Sequence, residues 1–417
     1  MTERLYYADS YCARFSARVI ERLTWQDHPA VVLDQTAFYP ASGGQPADRG
    51  LLGEIPVLNV VVRERDGAIL HILANDLAGL SEIKGAKIEG ELDWPRRFDH
   101  MQQHTGQHVL SAAFGQLLDA DTVGFHMGAE SSTVDVDAAY LELKAVAPVE
   151  QLANRVVWEN REIGVSFVTP DDLAALSLRR LPAMEDPVRI VEISGPAMNP
   201  NASFDLNPCG GTHVARTGEI GQIKIVNLNH RGDETRIEFL CGRRSLRDYR
   251  IKNTMVNQLT RMLTVGHWEL DKAVERLQDE AKHLRRDLRR ARERLRKMEA
   301  AELAETAVLQ GPYPVVWRIW EQPGKPPAEL RALALELAQS FEANSLLASI
   351  GQRVHLCFAC ADESGLDAAA LLRETCALLG GKGGGSSYLA QGSAPAIESS
   401  RVEAVISDLL SNLMIES

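Results

Sequence analysis

FDHMQQHTGQHVLSAAFGQLL, residues 98–118, carries the reading that decides the fold. Asp99 is a good N-cap and Gln102 follows three residues later, as in a capping box, so a helix is expected to open there. Val109, Leu110, Ala113, Phe114, Leu117 and Leu118 recur at helical spacing and form its buried side. His100 and His104 stand four apart, so both imidazoles leave one face of the helix. A second pair with the same spacing, Cys209 and His213, flanks a Gly-Gly-Thr turn in NPCGGTH. Three imidazoles and a thiolate suit zinc, which takes mixed nitrogen and sulfur ligands tetrahedrally, so one zinc ion per chain is expected on His100, His104, Cys209 and His213. The bland alternatives are a solvated helix face and an ordinary buried thiol. Met101-Gln-Gln103 replaces the glutamate of HExxH, which disfavours a zincin-type peptidase. Four protein ligands leave no open position, so the metal would orient substrate or hold the site together as readily as activate water. His108 continues the stripe as a residue that touches substrate, supports a ligand or is merely structural, and His126 in VGFHMG is a further pocket candidate.

Outward from this helix the chain reads as a multidomain α+β protein. Residues 1–92 hold short apolar, β-branched runs broken by Gly, Pro and Asp, which suggests a small β-barrel. Within it lies ASGGQP, a glycine-rich turn with Gly43, Gly44 and Gln45. Residues 93–243 form a mixed α+β core, with a second helix expected near Val149–Glu162. Residues 244–307 read as a helical hairpin broken near Gly266. In its longer arm Leu270, Val274, Leu277, Ala281, Leu284, Leu288, Ala291, Leu295 and Met298 alternate in steps of four and three, a coiled-coil seam. Its flanks carry Arg285, Arg286 and Arg289, read either as a phosphate contact or as a solvated surface. Residues 308–417 alternate strand and helix, as in a small α/β domain, and contain GGKGGG with Gly381, Lys382, Gly383 and Gly384. Those glycines can cradle phosphate through backbone amides or form a flexible turn. Cys357 and Cys360 are three apart on a strand-like run, so they face opposite sides and belong to the core.

The formal net charge of −12 argues against a chain coated with nucleic acid, although nine Lys and Arg against two acids between Lys282 and Lys297 leave a local polyanion contact open. No apolar run approaches the roughly 18 residues that span a bilayer. The start lacks a basic segment followed by an apolar one, and six scattered cysteines make no disulfide framework. A cytoplasmic location is expected, with no membrane partner. The seam suggests a homodimer through the coiled coil or the last domain, or satisfaction within one chain by the shorter helix folding back.

Several separated motifs resemble one family. HMQQHTGQHVLSAAF followed by NPCGGTHVARTGEIG resembles the editing domain of alanyl-tRNA synthetases and of the free-standing AlaX proteins. TAFYPASGGQPADRG is similar to the glycine-rich motif of the AlaX amino-terminal barrel, and GGKGGGSSYLAQG to the closing motif of the DHH-associated domain. The order of these motifs resembles the long form of AlaX. The resemblance implies hydrolysis of mischarged tRNA(Ala), chiefly Ser-tRNA(Ala) and also Gly-tRNA(Ala), with the four zinc ligands above. It also implies a threonine that reads the serine hydroxyl, for which Thr36 is the candidate. The loop here is Ser42-Gly43-Gly44-Gln45 where the family has three glycines, a small departure. There is no room for the aminoacylation body of a synthetase, and Phe98-Asp99-His100-Met101 breaks the Asp-His-His signature of the phosphoesterases. A non-catalytic tRNA-binding protein with a structural zinc, or a deacylase of another aminoacyl-tRNA, are the alternatives.

Overall fold

A computed structural model describes residues 2–74, 87–173, 178, 187–199, 202–310 and 313–415. The chain divides into two compact units, Met1–Met262 and Leu263–Ser417.

In the first unit six strands, Arg14–Trp25, His28–Leu33, Ile69–Leu73, Ile55–Val62, Gly50–Leu52 and Lys87–Leu92, pair in that order into a closed barrel. Alternating residues such as Phe15, Ala17 and Val19 turn inward with Leu33, Val60 and Leu73. The glycine-rich turn hangs from this barrel. It is closed by reciprocal backbone bonds between Ser42 and Gln45, 3.1 and 2.9 Å long.

The helix read from residues 98–118 is longer than expected, Trp94–Leu118. Asp93, not Asp99, caps it by accepting from the Arg96 amide, and Pro95 sits in the first turn, where its missing N–H costs nothing. Both aspartates satisfy the capping pattern, and the proline is the signal that separates them. Asp99 lies inside the helix and pairs with Arg244 at 2.7 Å. The helix packs on a second one, Leu143–Trp158, which starts six residues before the expected segment and carries Pro148 within it. Val149, Ala153 and Val156 bury that helix against Met101, Val109, Leu110 and Phe114.

Two sheets complete this core. Ile223–Arg231, Glu234–Cys241, Ser132–Val136 and Thr122–Met127 form an antiparallel sheet in that order. Ile163–Val168, Val188–Ser194 and Ser203–Pro208 form the other, and its last strand leads directly into Cys209. Barrel and core are tied by Arg97, which is fully buried on the helix. It pairs with Asp48 of the barrel and donates to the carbonyls of Ser10 and Ala37.

In the second unit the helix Leu270–Glu305 precedes a six-stranded sheet. Tyr313–Trp320 and Asn344–Ile350 run parallel; Val354–Ala359, Leu389–Ala394 and Lys382–Gly385 continue antiparallel. Helices Pro327–Ser340 and Ala368–Leu378 pack against separate core clusters. Cys357 belongs to one cluster and Cys360 to the other, as their odd spacing on a strand requires. The glycine run is not a free turn: Lys382–Gly385 is an edge strand paired with Leu389–Ala394. Gly242–Leu263 and Leu270–Glu305 are the helices on either side of Gly266. Among the described residues no helix is long and apolar enough to cross a membrane.

Candidate metal centre

Buried imidazoles and a thiol converge where the helix Trp94–Leu118 meets the loop after Pro208. The side chains brought together are His104, His108, Cys209 and His213, whose nearest ligand atoms all lie within 4.8 Å of one another. Three of the four expected residues are in this group. The structure corrects the fourth, setting His108 in the place given to His100. The physical reason is simple: His100, His104 and His108 share one helix face, so a four-residue spacing fits both neighbouring pairs and the sequence alone cannot choose. The position of the Cys209–His213 loop chooses. The ring of His213 lies 4.5 Å from that of His104 and 4.7 Å from that of His108. His100 is one turn earlier, buried near Arg96, Arg244 and Arg97, with Nδ1 unpartnered; burial first, then those charges, push its pKa down to about 3.

Each ring of the group is held through Nδ1, which leaves Nε2 for the centre. His104 Nδ1 is 2.8 Å from Gln45 Oε1, His108 Nδ1 is 2.9 Å from Asp205 Oδ2, and His213 Nδ1 is 3.2 Å from the Thr105 hydroxyl. Cys209 Sγ lies 3.5 Å from His104 Nε2 and 3.2 Å from His213 Nε2. A tetrahedral zinc with bonds of about 2.1 Å to nitrogen and 2.3 Å to sulfur needs N···S edges of about 3.6 Å, so the donor set and its spacing fit that ion with small adjustments. Ring nitrogens anchored away from the metal are the usual supporting arrangement.

The electrostatics of the thiol agree, whereas His108 would give up a proton on binding the ion. Burial opposes a charged Cys209, but the nearby His104 and His213 imidazoles and hydrogen bonds with His104 and His108 overcome it and hold the thiol well below its usual range. Burial pushes His213 down to about 3. Burial also disfavours charge on His108, yet the Asp205 carboxylate and the Cys209 sulfur outweigh it and raise its pKa to about 9. The pocket therefore favours a thiolate, as a zinc site requires.

Gln45 is the joint of the site. Its Oε1 meets His104 and accepts from the Thr212 amide at 3.2 Å, while its Nε2 donates to the Thr212 hydroxyl at 2.9 Å. One side chain thus links the glycine-rich turn to both ligand motifs. Gly44 permits the approach: its φ is +81°, and a Cβ there would lie 2.6 Å from the Phe125 carbonyl. Gly211 is needed for the same reason, since its Cβ would fall 2.0 Å from His104 Cε1. Gly43 also has positive φ but faces open space. A Gln45→Ala variant is expected to bind zinc about 10–100-fold more weakly while keeping its fold, checked by chelator competition.

The remaining candidates fall outside the group. His126 is exposed, because it alternates along its strand with Phe125, whose ring stacks on His104 at 5.5 Å. Thr36 is fully buried in the barrel, its hydroxyl 2.8 Å from His71 Nε2. Arg285, Arg286, Arg289, Lys382, Gly383 and Gly384 are exposed and Gly381 is half-buried, all in the second unit. Sequence reasoning missed Asp205, Thr105, Thr212, Phe125 and Arg189. Arg189 donates to the carbonyls of Cys209 and Gly211 and shapes the ligand loop. For Asp205, Thr105 and Thr212 the prior signal was closeness in sequence to the ligands, Asp205 four residues before Cys209, Thr105 beside His104 and Thr212 beside His213; Phe125 and Arg189 had no such signal.

A family model described as "Threonyl and Alanyl tRNA synthetase second additional domain" matches residues 188–238, the segment that supplies Cys209 and His213. The chain is similar along its whole length to "Alanyl-tRNA editing protein AlaX-L" of Pyrococcus horikoshii, at 29% identity over all of both chains. It is 33% identical to "Alanyl-tRNA editing protein Aarsd1-B" of Xenopus laevis over 62% of this chain and 60% of that one. It is 31% identical to "Alanine--tRNA ligase" of Pyrococcus furiosus over 96% of this chain but only 43% of the ligase. The likeness to long-form alanyl-tRNA editing proteins that the order of motifs suggested therefore holds over the whole chain.

Proposed function

We propose that this chain is a hydrolase that deacylates mischarged tRNA(Ala), chiefly Ser-tRNA(Ala) and secondly Gly-tRNA(Ala), with one zinc ion on His104, His108, Cys209 and His213. The observation that carries the reading is the Gln45 bridge, which builds the glycine-rich turn and both ligand motifs into one buried site. The names and whole-length likeness of the editing proteins support the substrate class.

The chemistry fits a modest site. An alanine pocket hardly excludes glycine, and rejecting one added hydroxyl is limited to roughly a hundredfold, so a second site that recognises the wrong product adds the missing selectivity. An aminoacyl ester is activated, so positioning and polar stabilisation suffice without a covalent nucleophile. When bound, zinc would supply positive charge that orients and polarises the substrate. Gln45 fixes the ring of His104, Asp205 that of His108, and Thr105 that of His213. Arg189 holds the ligand loop, and the Gly43–Gly44 turn lets a substrate backbone approach closely. Thr36 would have to exchange His71 for the substrate hydroxyl to read serine. Arg285, Arg286, Arg289, Lys382, Gly383 and Gly384 offer exposed contacts for tRNA phosphates, with Gly381 beside them, and the reaction belongs in the cytoplasm with its substrate.

Full coordination by protein favours the second reading, a structural zinc in a tRNA-binding protein. Ester loss from Ser-, Gly- and Ala-tRNA(Ala) decides. Fast decay of the first, slower decay of the second and sparing of Ala-tRNA(Ala) are expected. Background decay of all three would leave only the structural reading.

A further inference from the structure

We propose that His100 is a substrate-binding residue, hydrogen-bonded to the ribose hydroxyl beside the ester when the aminoacyl group lies at the metal centre. The inference deepens the deacylase reading and rests on it. Among the described residues the other buried histidines of this unit all have ring partners. His71 has Thr36 and the Val31 carbonyl, and His104, His108 and His213 have Gln45, Asp205 and Thr105. His100 has none, although it is only 3% exposed and its Nδ1 is enclosed. A buried ring kept for packing alone is ordinarily bonded, because an unserved polar atom costs stability, so an unserved ring marks a place that a ligand completes. The ligand rings lie as deep, His104 at 5% and His213 at 3%, so depth does not separate His100 from the site.

The surroundings of His100 fit the end of a nucleic acid. His100 precedes His104 by four residues on one helix face, about 6 Å along the axis. An aminoacyl ester can bridge that step, since its sugar follows its carbonyl by a few bonds. Two segments lie against this turn of the helix. Arg96 donates to the Ala47 carbonyl of the glycine-rich turn at 3.1 Å, and Arg244 donates to the Gly128 carbonyl at 2.8 Å. The Met127 amide ties the two segments together by donating to the Gly44 carbonyl at 3.0 Å. Arg244 is paired with Asp99 and Arg97 with Asp48. Neither Arg96 nor its neighbour Arg49 makes an ion pair among the described residues. Arg96 is half-buried and Arg49 exposed, so both are placed to meet the phosphate next to the terminal sugar. Burial and the same positive charges keep the His100 ring neutral, with one nitrogen a donor and the other an acceptor, and either suits a hydroxyl.

The test uses the full chain and seryl esters of two tRNA(Ala) molecules, one ending in adenosine and one in 2′-deoxyadenosine. Single-turnover rates are corrected for the spontaneous decay of each ester. The wild-type chain is expected to be about 5–10-fold slower on the deoxy ester, the size of one lost hydrogen bond. His100→Ala is expected to lose about 5–10-fold on the ribose ester and nothing further on the deoxy ester, with one zinc per chain and an unchanged melting temperature. A merely structural His100 would slow both esters alike, and that result would overturn the proposal. A wild-type chain equally fast on both esters would overturn it without any variant. Full activity of His100→Ala on the ribose ester would sink this inference alone. Background decay of the ribose ester with the wild-type chain would sink the deacylase reading, and this inference with it.

Discussion

A His108→Ala variant is expected to purify without zinc and to lose Ser-tRNA(Ala) deacylation by about 100-fold or more, beyond what loss of a supporting residue alone gives. His108 contributes one of four ligand atoms that lie together, and its ring is already fixed by Asp205. Removing it opens the tetrahedron and leaves the Asp205 carboxylate without that partner. The comparison that gives the result its meaning is His100→Ala. His100 is buried on the same helix face but outside the ligand group, with an unpartnered Nδ1. Its removal is expected to leave zinc content at one per chain. Equal zinc loss in both variants would return His100 to the ligand set and contradict the geometry. Metal analysis after gel filtration, paired with the deacylation assay, separates these outcomes.

Arg97→Met is expected to cost about 3–5 kcal/mol of stability, the range for breaking a buried ion pair from one side. Arg97 and Asp48 are both essentially inaccessible to solvent, and the guanidinium also serves the carbonyls of Ser10 and Ala37 at 2.8 and 2.5 Å. Without it a buried carboxylate is left with the Tyr39 amide but no countercharge, and the two carbonyls lose this donor. For a unit of this size the melting temperature should fall on the order of 10 °C, read by calorimetry. Asp48→Asn/Arg97→Met should be less unstable than Arg97→Met alone, because the uncompensated charge is gone. A single variant that melts within about 2 °C of wild type would show that the pair is not what joins barrel to helix.

The site was partly legible in the sequence, and the residues explain where legibility stopped. Four-residue spacing pointed to a metal centre and named His104, Cys209 and His213, three of the side chains that the structure brings together, because a helix face and a tight glycine turn both gather such pairs. It could not decide between His100 and His108, which are symmetric about His104. That choice depends on where a loop more than a hundred residues away comes to rest. Asp205 and Gln45 could not be assigned as ring supports because their contacts span 97 and 59 residues. His126 went wrong by strand parity: one residue earlier, Phe125 is the one that faces the site. The helix start was misplaced because Asp93 and Asp99 cap equally well on paper, whereas Pro95 prefers the first turn. The stripe from Val274 to Met298 was clear as a pattern.

The central claim is a zinc centre of three imidazoles and one thiolate built on His104, His108, Cys209 and His213. X-ray absorption at the zinc edge of the purified chain tests it most directly. The predicted spectrum has three nitrogen scatterers at about 2.0–2.1 Å and one sulfur at about 2.3 Å, unchanged by His100→Ala. A spectrum without sulfur, or one in which His100→Ala removes a nitrogen while His108→Ala does not, would contradict it.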